Sequence, residues 1–333
     1  LMALAKEPGH RFGNADEYGE ALADALSQIE SSVPRPPPKA VTIRCPKCGG
    51  LKRYATKKPG RYRCALSGCR SDFTVITGSV MERSHAKLTQ WAVAFTMAAA
   101  SKKGFSAHQL HRQLGCQYNT AWFLHHRVME AMRRGGLSAP MGGTGGSGIV
   151  EADETYIGKT DEPRVRRKYS TPPTKGGKSG TANKRHVVAL VERGGSVRTF
   201  HVPRADGDTV SAIVRQNVAR EARLMTDESR LYKKVGPEFA SHETVTHSHG
   251  EYVRGDIHTN TIEGFFGIFK RGMRGVYQHC AEKNLHRYLA EFAFRYNTRT
   301  LTDAERSVLA VRGGEGKRLT YHCLLYTSPS PRD

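Results

Sequence analysis

The stretch Gly148-Ile149-Val150-Glu151-Ala152-Asp153-Glu154-Thr155-Tyr156-Ile157-Gly158 decides the architecture. Side chains alternate along a strand, so Val150, Ala152 and Glu154 fall on one side and Glu151, Asp153 and Thr155 on the other. Asp153 then sits in mid-strand, where a carboxylate is costly to bury unless a cation compensates it. Ala222-Arg223-Leu224-Met225-Thr226-Asp227 repeats the pattern and sets Asp227 at a strand's carboxyl end, the edge where open α/β sheets bind ligands. Strands over Ile149–Ile157, His186–Glu192, Val197–Val202 and Ala222–Thr226 are interleaved with a helix over about Asp208–Arg220. Two further helices are expected over Thr261–Gly272 and Asn284–Arg295, and the whole predicts an α/β fold.

Two aspartates need a third partner to hold a cation, and His258-Thr259-Asn260-Thr261-Ile262-Glu263-Gly264-Phe265-Phe266-Gly267-Ile268-Phe269-Lys270-Arg271 offers it. At about 100° per residue Lys270 returns to within about 20° of Glu263, while Ile262, Phe265, Phe266 and Phe269 share the opposite arc. Such a helix buries its aromatics and presents Asn260, Glu263 and Lys270 along one edge. Three carboxylates brought together repel one another, and two divalent cations, Mg2+ or Mn2+, reverse that repulsion. A pair of such ions about 4 Å apart serves in-line phosphoryl displacement, with Lys270 holding a phosphate.

Upstream, Cys45-Pro46-Lys47-Cys48-Gly49 and Cys64-Ala65-Leu66-Ser67-Gly68-Cys69 form two knuckles separated by 15 residues. Cys45, Cys48, Cys64 and Cys69 can reach one tetrahedral Zn2+, and a full thiolate shell makes that zinc structural. Arg53 and Arg63 lie among other cations of this segment and read as DNA contacts. Further on, Ser106 caps a helix ending at Gly115, and a second helix carries Asn119, Trp122 and Arg127; two helices about a glycine turn match a helix-turn-helix, or equally a plain αα-hairpin. Asn119, Trp122 and Arg127, together with His258, Lys270 and Arg271, complete the expected DNA contacts.

The chain has 333 residues, with 52 Lys+Arg against 31 Asp+Glu, a formal charge of +21 that points to a polyanion partner. No uncharged apolar run reaches membrane-spanning length, so no membrane partner is expected. The organisation reads as an N-terminal helix and Pro-rich linker (1–40), zinc ribbon (41–82), helical DNA-binding region (83–140), catalytic domain (141–312) and tail (313–333). The chain opens at Leu1 without an initiator. Residues Cys323–Asp333 read like translated sequencing adapter, so the tail is expected to stand apart from the fold. His247 and His249 precede the Glu263 helix but make a weak zinc motif beside the cysteines.

The run Val253–Arg299, with His258-Thr259-Asn260-Thr261-Ile262-Glu263-Gly264, Lys270-Arg271-Gly272, Leu285-His286-Arg287-Tyr288 and Glu291-Phe292-Ala293-Phe294-Arg295-Tyr296-Asn297, resembles bacterial insertion-sequence transposases of the IS1595, or ISXO2-like, family. The Asp153 strand, the cysteine knuckles and Gly115–Met132 extend the resemblance over about residues 42–300. It implies an RNase H-like domain with an Asp-Asp-Glu triad at Asp153, Asp227 and Glu263; some relatives carry Asn third, which would shift the role to Asn260. It further implies a transposase that binds the inverted-repeat ends of an insertion sequence and carries out metal-dependent strand cleavage and strand transfer. A homodimer or larger synaptic assembly in a bacterial cytoplasm, at the nucleoid, is the corresponding expectation. The rival readings are a catalytically inactive zinc-ribbon DNA-binding descendant and a structure-specific nuclease of the same fold.

Overall fold

The computed structural model describes residues 43–133, 139–143, 148–161, 183–246 and 250–326. The expected N-terminal helix and Pro-rich linker (1–40), and His247 and His249, lie outside these residues. The chain divides into two compact units, Leu1–Val75 and Ile76–Asp333.

In the first unit, β1 (Arg53–Ala55), β2 (Arg61–Cys64) and β3 (Asp72–Thr74) form an antiparallel sheet in that order. Gly60, at φ +76°, makes the β1–β2 turn, a conformation that a Cβ disfavours. The core of this unit is Cys45, Cys64 and Phe73, with Ile43, Tyr62 and Cys69 packed against it. So small an apolar cluster offers little stability unless the cysteines are cross-linked through a metal.

The second unit opens with α1 (Leu88–Ala100), α2 (Ala107–Leu114) and α3 (Tyr118–Met132). Ser106 accepts a hydrogen bond from the Gln109 amide at 3.1 Å, and Gly115 ends α2 in the left-handed conformation at φ +59°. Next come β4 (Ile149–Ile157), β5 (Arg185–Glu192), β6 (Val197–Val202), α4 (Gly207–Asn217), β7 (Arg223–Asp227) and β8 (Ser241–Val245). The five strands line up as β6-β5-β4-β7-β8; β5 is antiparallel to both neighbours, while β4, β7 and β8 run parallel. A short hairpin, β9 (Val253–Arg254) and β10 (Ile257–His258), leads into α5 (Asn260–Gly272), which α6 (Leu285–Asn297), α7 (Asp303–Arg312) and α8 (Tyr321–Tyr326) follow.

One sheet face, through Val187, Ala189 and Val191, packs on Ile262, Phe265, Phe266 and Phe269 of α5 and on Leu285, Leu289 and Phe292. The other, through Val150, Ala152, Val188, Leu190 and Leu224, packs on Val210 and Val214 of α4 and on Tyr232. The aromatic arc read from the helical period is therefore the buried face of α5. Phe269 is fully buried and meets Phe292 edge-on with centroids 5.2 Å apart. Phe269→Ala is expected to cost about 3–5 kcal/mol, lowering the thermal midpoint by about 10 °C for a unit of this size. A melt within 2 °C or so of the wild-type midpoint would contradict this packing account.

Two expected boundaries are corrected. The helices and the sheet belong to one compact unit from Ile76 onward, because α3 sends Met129 into the sheet core and Leu124, Val128 and Met132 into the helical core. Residues 313–326 also do not stand apart: Leu319 and Leu324 are buried, and the Lys317 ammonium donates to the Glu130 carbonyl at 2.9 Å, at the end of α3. A cation at a helix C-terminus satisfies carbonyls that have no intrahelical donor.

α3 also buries His125 and His126, and neither ring nitrogen of His126 has a hydrogen-bond partner among the described residues. Burial pulls His125 down to about 4 and outweighs the nearby Glu291 carboxylate; burial lowers His126 as well. Both rings are neutral when folded but titrate normally near 6.5 when unfolded, so their contribution is complete above about pH 6.5 and lost as pH falls toward 4. The midpoint is expected to drop between pH 7.5 and 5, and less steeply in His126→Phe. An identical slope in the variant would rule out the pair as its source.

Candidate active site

The β4–β7 register pairs Val150 with Leu224 and Glu151 with Met225, so two further residues bring Asp153 beside Asp227 at the carboxyl end of β7. Carboxylate oxygens of Asp153, Glu154 and Asp227 lie within 4.8 Å of one another. The Glu154 amide donates to Asp153 at 2.7 Å, and the Ser229 amide donates to Asp227 at 3.0 Å. Glu154 starts from the opposite strand face, where the Tyr232 hydroxyl donates to it at 3.0 Å and the Ser229 hydroxyl at 3.4 Å.

Crowding of buried carboxylates has an electrostatic signature. Burial, then the charges of Glu154 and Asp227, push Asp153 from 3.8 up to about 8, with Glu263 adding to the rise. Burial and Asp227 raise Glu154 too, against the lowering effect of the Tyr232 hydroxyl. Tyr232, fully buried beside these groups, lies well above the usual phenol range. A site that resists ionisation in the absence of a counter-ion is suited to a divalent cation, and an all-oxygen donor set favours Mg2+ or Mn2+.

Glu263, in the first turn of α5, is exposed and accepts a hydrogen bond from the Thr259 hydroxyl at 3.0 Å. It stands outside the 4.8 Å group, although its charge is felt at Asp153. Among the described residues, Asp153 and Asp227 are thus brought together with Glu154, and Glu263 is not in that group. Asn260 is the exposed first residue of α5; Lys270 is half-buried and Arg271 exposed in its last turn.

In the ribbon, sulfur–sulfur distances are 3.8 Å for Cys45–Cys69 and 3.5 Å for Cys48–Cys64. All four sulfurs lie within 4.8 Å of one another. Four thiolates at the usual 2.3 Å from zinc are about 3.8 Å apart along each tetrahedral edge, so these residues fit Zn2+. The Ser71 hydroxyl and amide pull the Cys69 thiol down to about 6, while burial and the neighbouring cysteines hold the Cys48 thiol up at about 12, so the metal-free cluster ionises first at Cys69. Arg53 is exposed and lies over the Tyr62 ring at 5.4 Å, while exposed Arg63 pairs with Asp72 at 2.7 Å.

On α3, Asn119 is exposed and Trp122 is half-buried against His126 and Tyr321. Arg127 does not face solvent as a DNA contact would, and that expectation is corrected. Its guanidinium is buried, donates to the Leu319 carbonyl at 3.1 Å and the Glu82 carbonyl at 2.7 Å, and lies 4.8 Å over Phe123. Satisfying two carbonyls of the same unit compensates the buried charge. His258 is half-buried with Nδ1 3.0 Å from Arg193 and 3.4 Å from Glu151, an orienting position.

Sequence reasoning missed Glu154, because strict alternation sends it to the strand face opposite Asp153. Tyr232 and Ser229, its hydrogen-bond donors, follow Asp227 by five and two residues and carried no motif of their own.

Residues 146–297 match the ISXO2-like transposase domain. The chain is 30% identical over 269 residues to an uncharacterized protein in transposable element ISH50 of Halobacterium salinarum, a match spanning 76% of this chain and 85% of that protein. Among solved structures, the Mos1 strand transfer complex aligns over 94% of this chain and 91% of its own, at 8% identity and a TM-score of 0.25. The Drosophila P element transposase strand transfer complex covers 69% of this chain and 60% of its own, at 13% identity and a TM-score of 0.25. Likeness at these scores is too low to assign the fold from it. Among the described residues, no helix is long and apolar enough to cross a membrane.

Proposed function

This chain belongs to the ISXO2-like transposase family, and we propose that it cuts and joins DNA at a carboxylate site formed by Asp153, Asp227 and Glu263 on an RNase H-like sheet. Within the sheet the strand order is 3-2-1-4-5, the second strand antiparallel to the rest, which supports that reading. The observation that carries the proposal is the meeting of Asp153 and Asp227 from adjacent parallel strands, with Asp153 pushed up to about 8 by burial and then by the charges of Glu154 and Asp227.

Mg2+ or Mn2+ bound there supplies Lewis acidity to the attacking and leaving oxygens of an in-line displacement. Asp153 and Asp227 would hold such ions, Glu263 would complete the set from α5, and Glu154 would add negative charge beside them. Lys270, two turns beyond Glu263, holds a DNA phosphate as a point charge. In the first step water attacks the phosphorus at an element end, one P–O bond forms and one breaks, and a 3'-hydroxyl leaves. In the second, that hydroxyl attacks a target phosphodiester with the same exchange of bonds, so neither a nucleotide energy source nor a covalent enzyme intermediate is needed. The zinc ribbon and the α2–α3 pair, acting as a helix-turn-helix with exposed Asn119, bind the inverted repeats. Joining two ends at once calls for a dimer or larger assembly.

Supercoiled plasmid carrying the inverted repeats that bracket the gene, incubated with the full chain and Mg2+, separates the alternatives. The proposal expects nicks at the ends and joined products. Nicks alone would indicate a nuclease, and binding without cleavage a DNA-binding protein with a dead site.

A further inference from the structure

Glu151 is a fully buried carboxylate two residues before Asp153 on the same face of β4. Its Oε1 accepts from Arg193 Nε at 2.6 Å and from the Thr261 hydroxyl at 2.9 Å, and its Oε2 accepts from the Ile262 amide at 2.9 Å. Thr261 and Ile262 are the second and third residues of α5, and Ile262 directly precedes Glu263. The N-cap residue of α5, Thr259, makes no side-chain cap; its hydroxyl is turned to Glu263 instead. The anion that satisfies the start of this 13-residue helix therefore comes from the central strand of the sheet.

Arg193 completes the clamp. Besides Glu151 it donates to the His258 carbonyl at 2.8 Å and the Asp256 carbonyl at 2.6 Å, holding the β9–β10 hairpin that delivers the chain into α5. A buried charge satisfied this completely is stiff, because loss of any partner leaves another one desolvated and unpaired.

We propose that Glu151 is a positioning residue that locks the first turn of α5 onto β4 and thereby sets Glu263 at its working distance from Asp153. The inference rests on the proposed function, since it presumes that Glu263 joins the ions held by Asp153 and Asp227. Glu151 is fully buried with both carboxylate oxygens engaged, so it acts through these partners. Its carboxylate spans from the strand of one ligand to the helix of the other, so the path between the two ligands runs through two β4 residues, one side chain and one helical residue. Glu151→Gln removes the charge that Arg193 and the helix terminus require and frees α5 to shift.

Mn2+ binding to the full chain, followed by loss of the free-ion spin-resonance signal, tests this beside plasmid cleavage. Glu151→Gln is expected to raise the half-saturating Mn2+ concentration on the order of 10-fold, as outer partners of metal ligands do. Thr261→Val, which removes one donor and leaves the charge pair intact, is expected to give a smaller shift in the same direction and decides the matter if the Gln variant does not fold. Both shifts should vanish in a Glu263→Gln background, because a residue acting through Glu263 has nothing left to position. An unchanged midpoint in both variants, or a shift that persists undiminished without Glu263, overturns the inference. If Asp153→Asn and Glu263→Gln themselves leave Mn2+ binding at the wild-type level, it is the underlying site that fails, and the inference falls with it.

Discussion

Asp153→Asn is expected to lower strand cleavage and joining on the order of 1000-fold, about 4 kcal/mol of lost transition-state stabilisation, while DNA binding is retained. Asparagine keeps the shape of the side chain and its place between β5 and β7 but cannot supply a hard anionic ligand. A second effect of opposite sign is expected in the metal-free protein. The folded-state value of Asp153 is raised from 3.8 to about 8, so its contribution to stability is present at low pH and lost as pH climbs through that interval. Asn does not ionise. The thermal midpoint of the metal-free variant should therefore exceed that of the parent, by a margin that widens from pH 5 to pH 8.5 and closes when Mn2+ is added. Normal joining by Asp153→Asn, or a variant that melts below its parent at pH 8.5, would remove Asp153 from the role assigned to it.

Cys45→Ser is expected to release zinc and unfold the ribbon. Among the described residues, the unit ending at Val75 has Cys45, Cys64 and Phe73 at its centre, and two of these three are the proposed ligands. Structural zinc contributes roughly 10–16 kcal/mol in small zinc-dependent folds, far more than three buried side chains can. Loss of one thiolate leaves an incomplete shell, and metal analysis should fall from one zinc per chain toward none. Affinity for the element ends should drop at least about tenfold if even one or two kcal/mol of phosphate contact is lost with the ribbon. The unit from Ile76 onward has its own cores, so its melting should stay within about 2 °C of the parent. A parent protein without zinc, or a variant that keeps it, would refute the ribbon assignment.

Much of the fold is legible in the sequence itself. Ile149–Ile157 announced itself by alternation, and the α5 aromatics by a period of 3.6, because both patterns follow from which face is buried. β8, Ser241-His242-Glu243-Thr244-Val245, was not legible: it lies at the sheet edge with one buried residue, so its composition is that of a loop. Arg127 gives no sign of its burial in sequence, because a cation on a helix looks the same whether it faces phosphate or two carbonyls of its own fold. Glu151 carried the opposite ambiguity. Alternation put it on the face of Asp153, yet nothing local distinguishes a ligand from a clamp. The distinction depends on Arg193, Thr261 and Ile262, residues 42, 110 and 111 positions away. The adapter-like end at Cys323–Asp333 makes the whole tail look separable, but burial of Leu319 and the Lys317 contact to the end of α3 are tertiary facts that sequence likeness does not carry.

The central claim is that acids from β4, β7 and α5 gather around divalent cations. A crystal of the full chain grown with Mn2+ and measured at the manganese absorption edge tests it most directly. The account predicts anomalous density between the Asp153 and Asp227 carboxylates, with a Glu263 oxygen drawn to within about 2.2 Å of an ion. Saturating Mn2+ with no density between the two aspartates, or an ion held there while Glu263 stays remote, would contradict it.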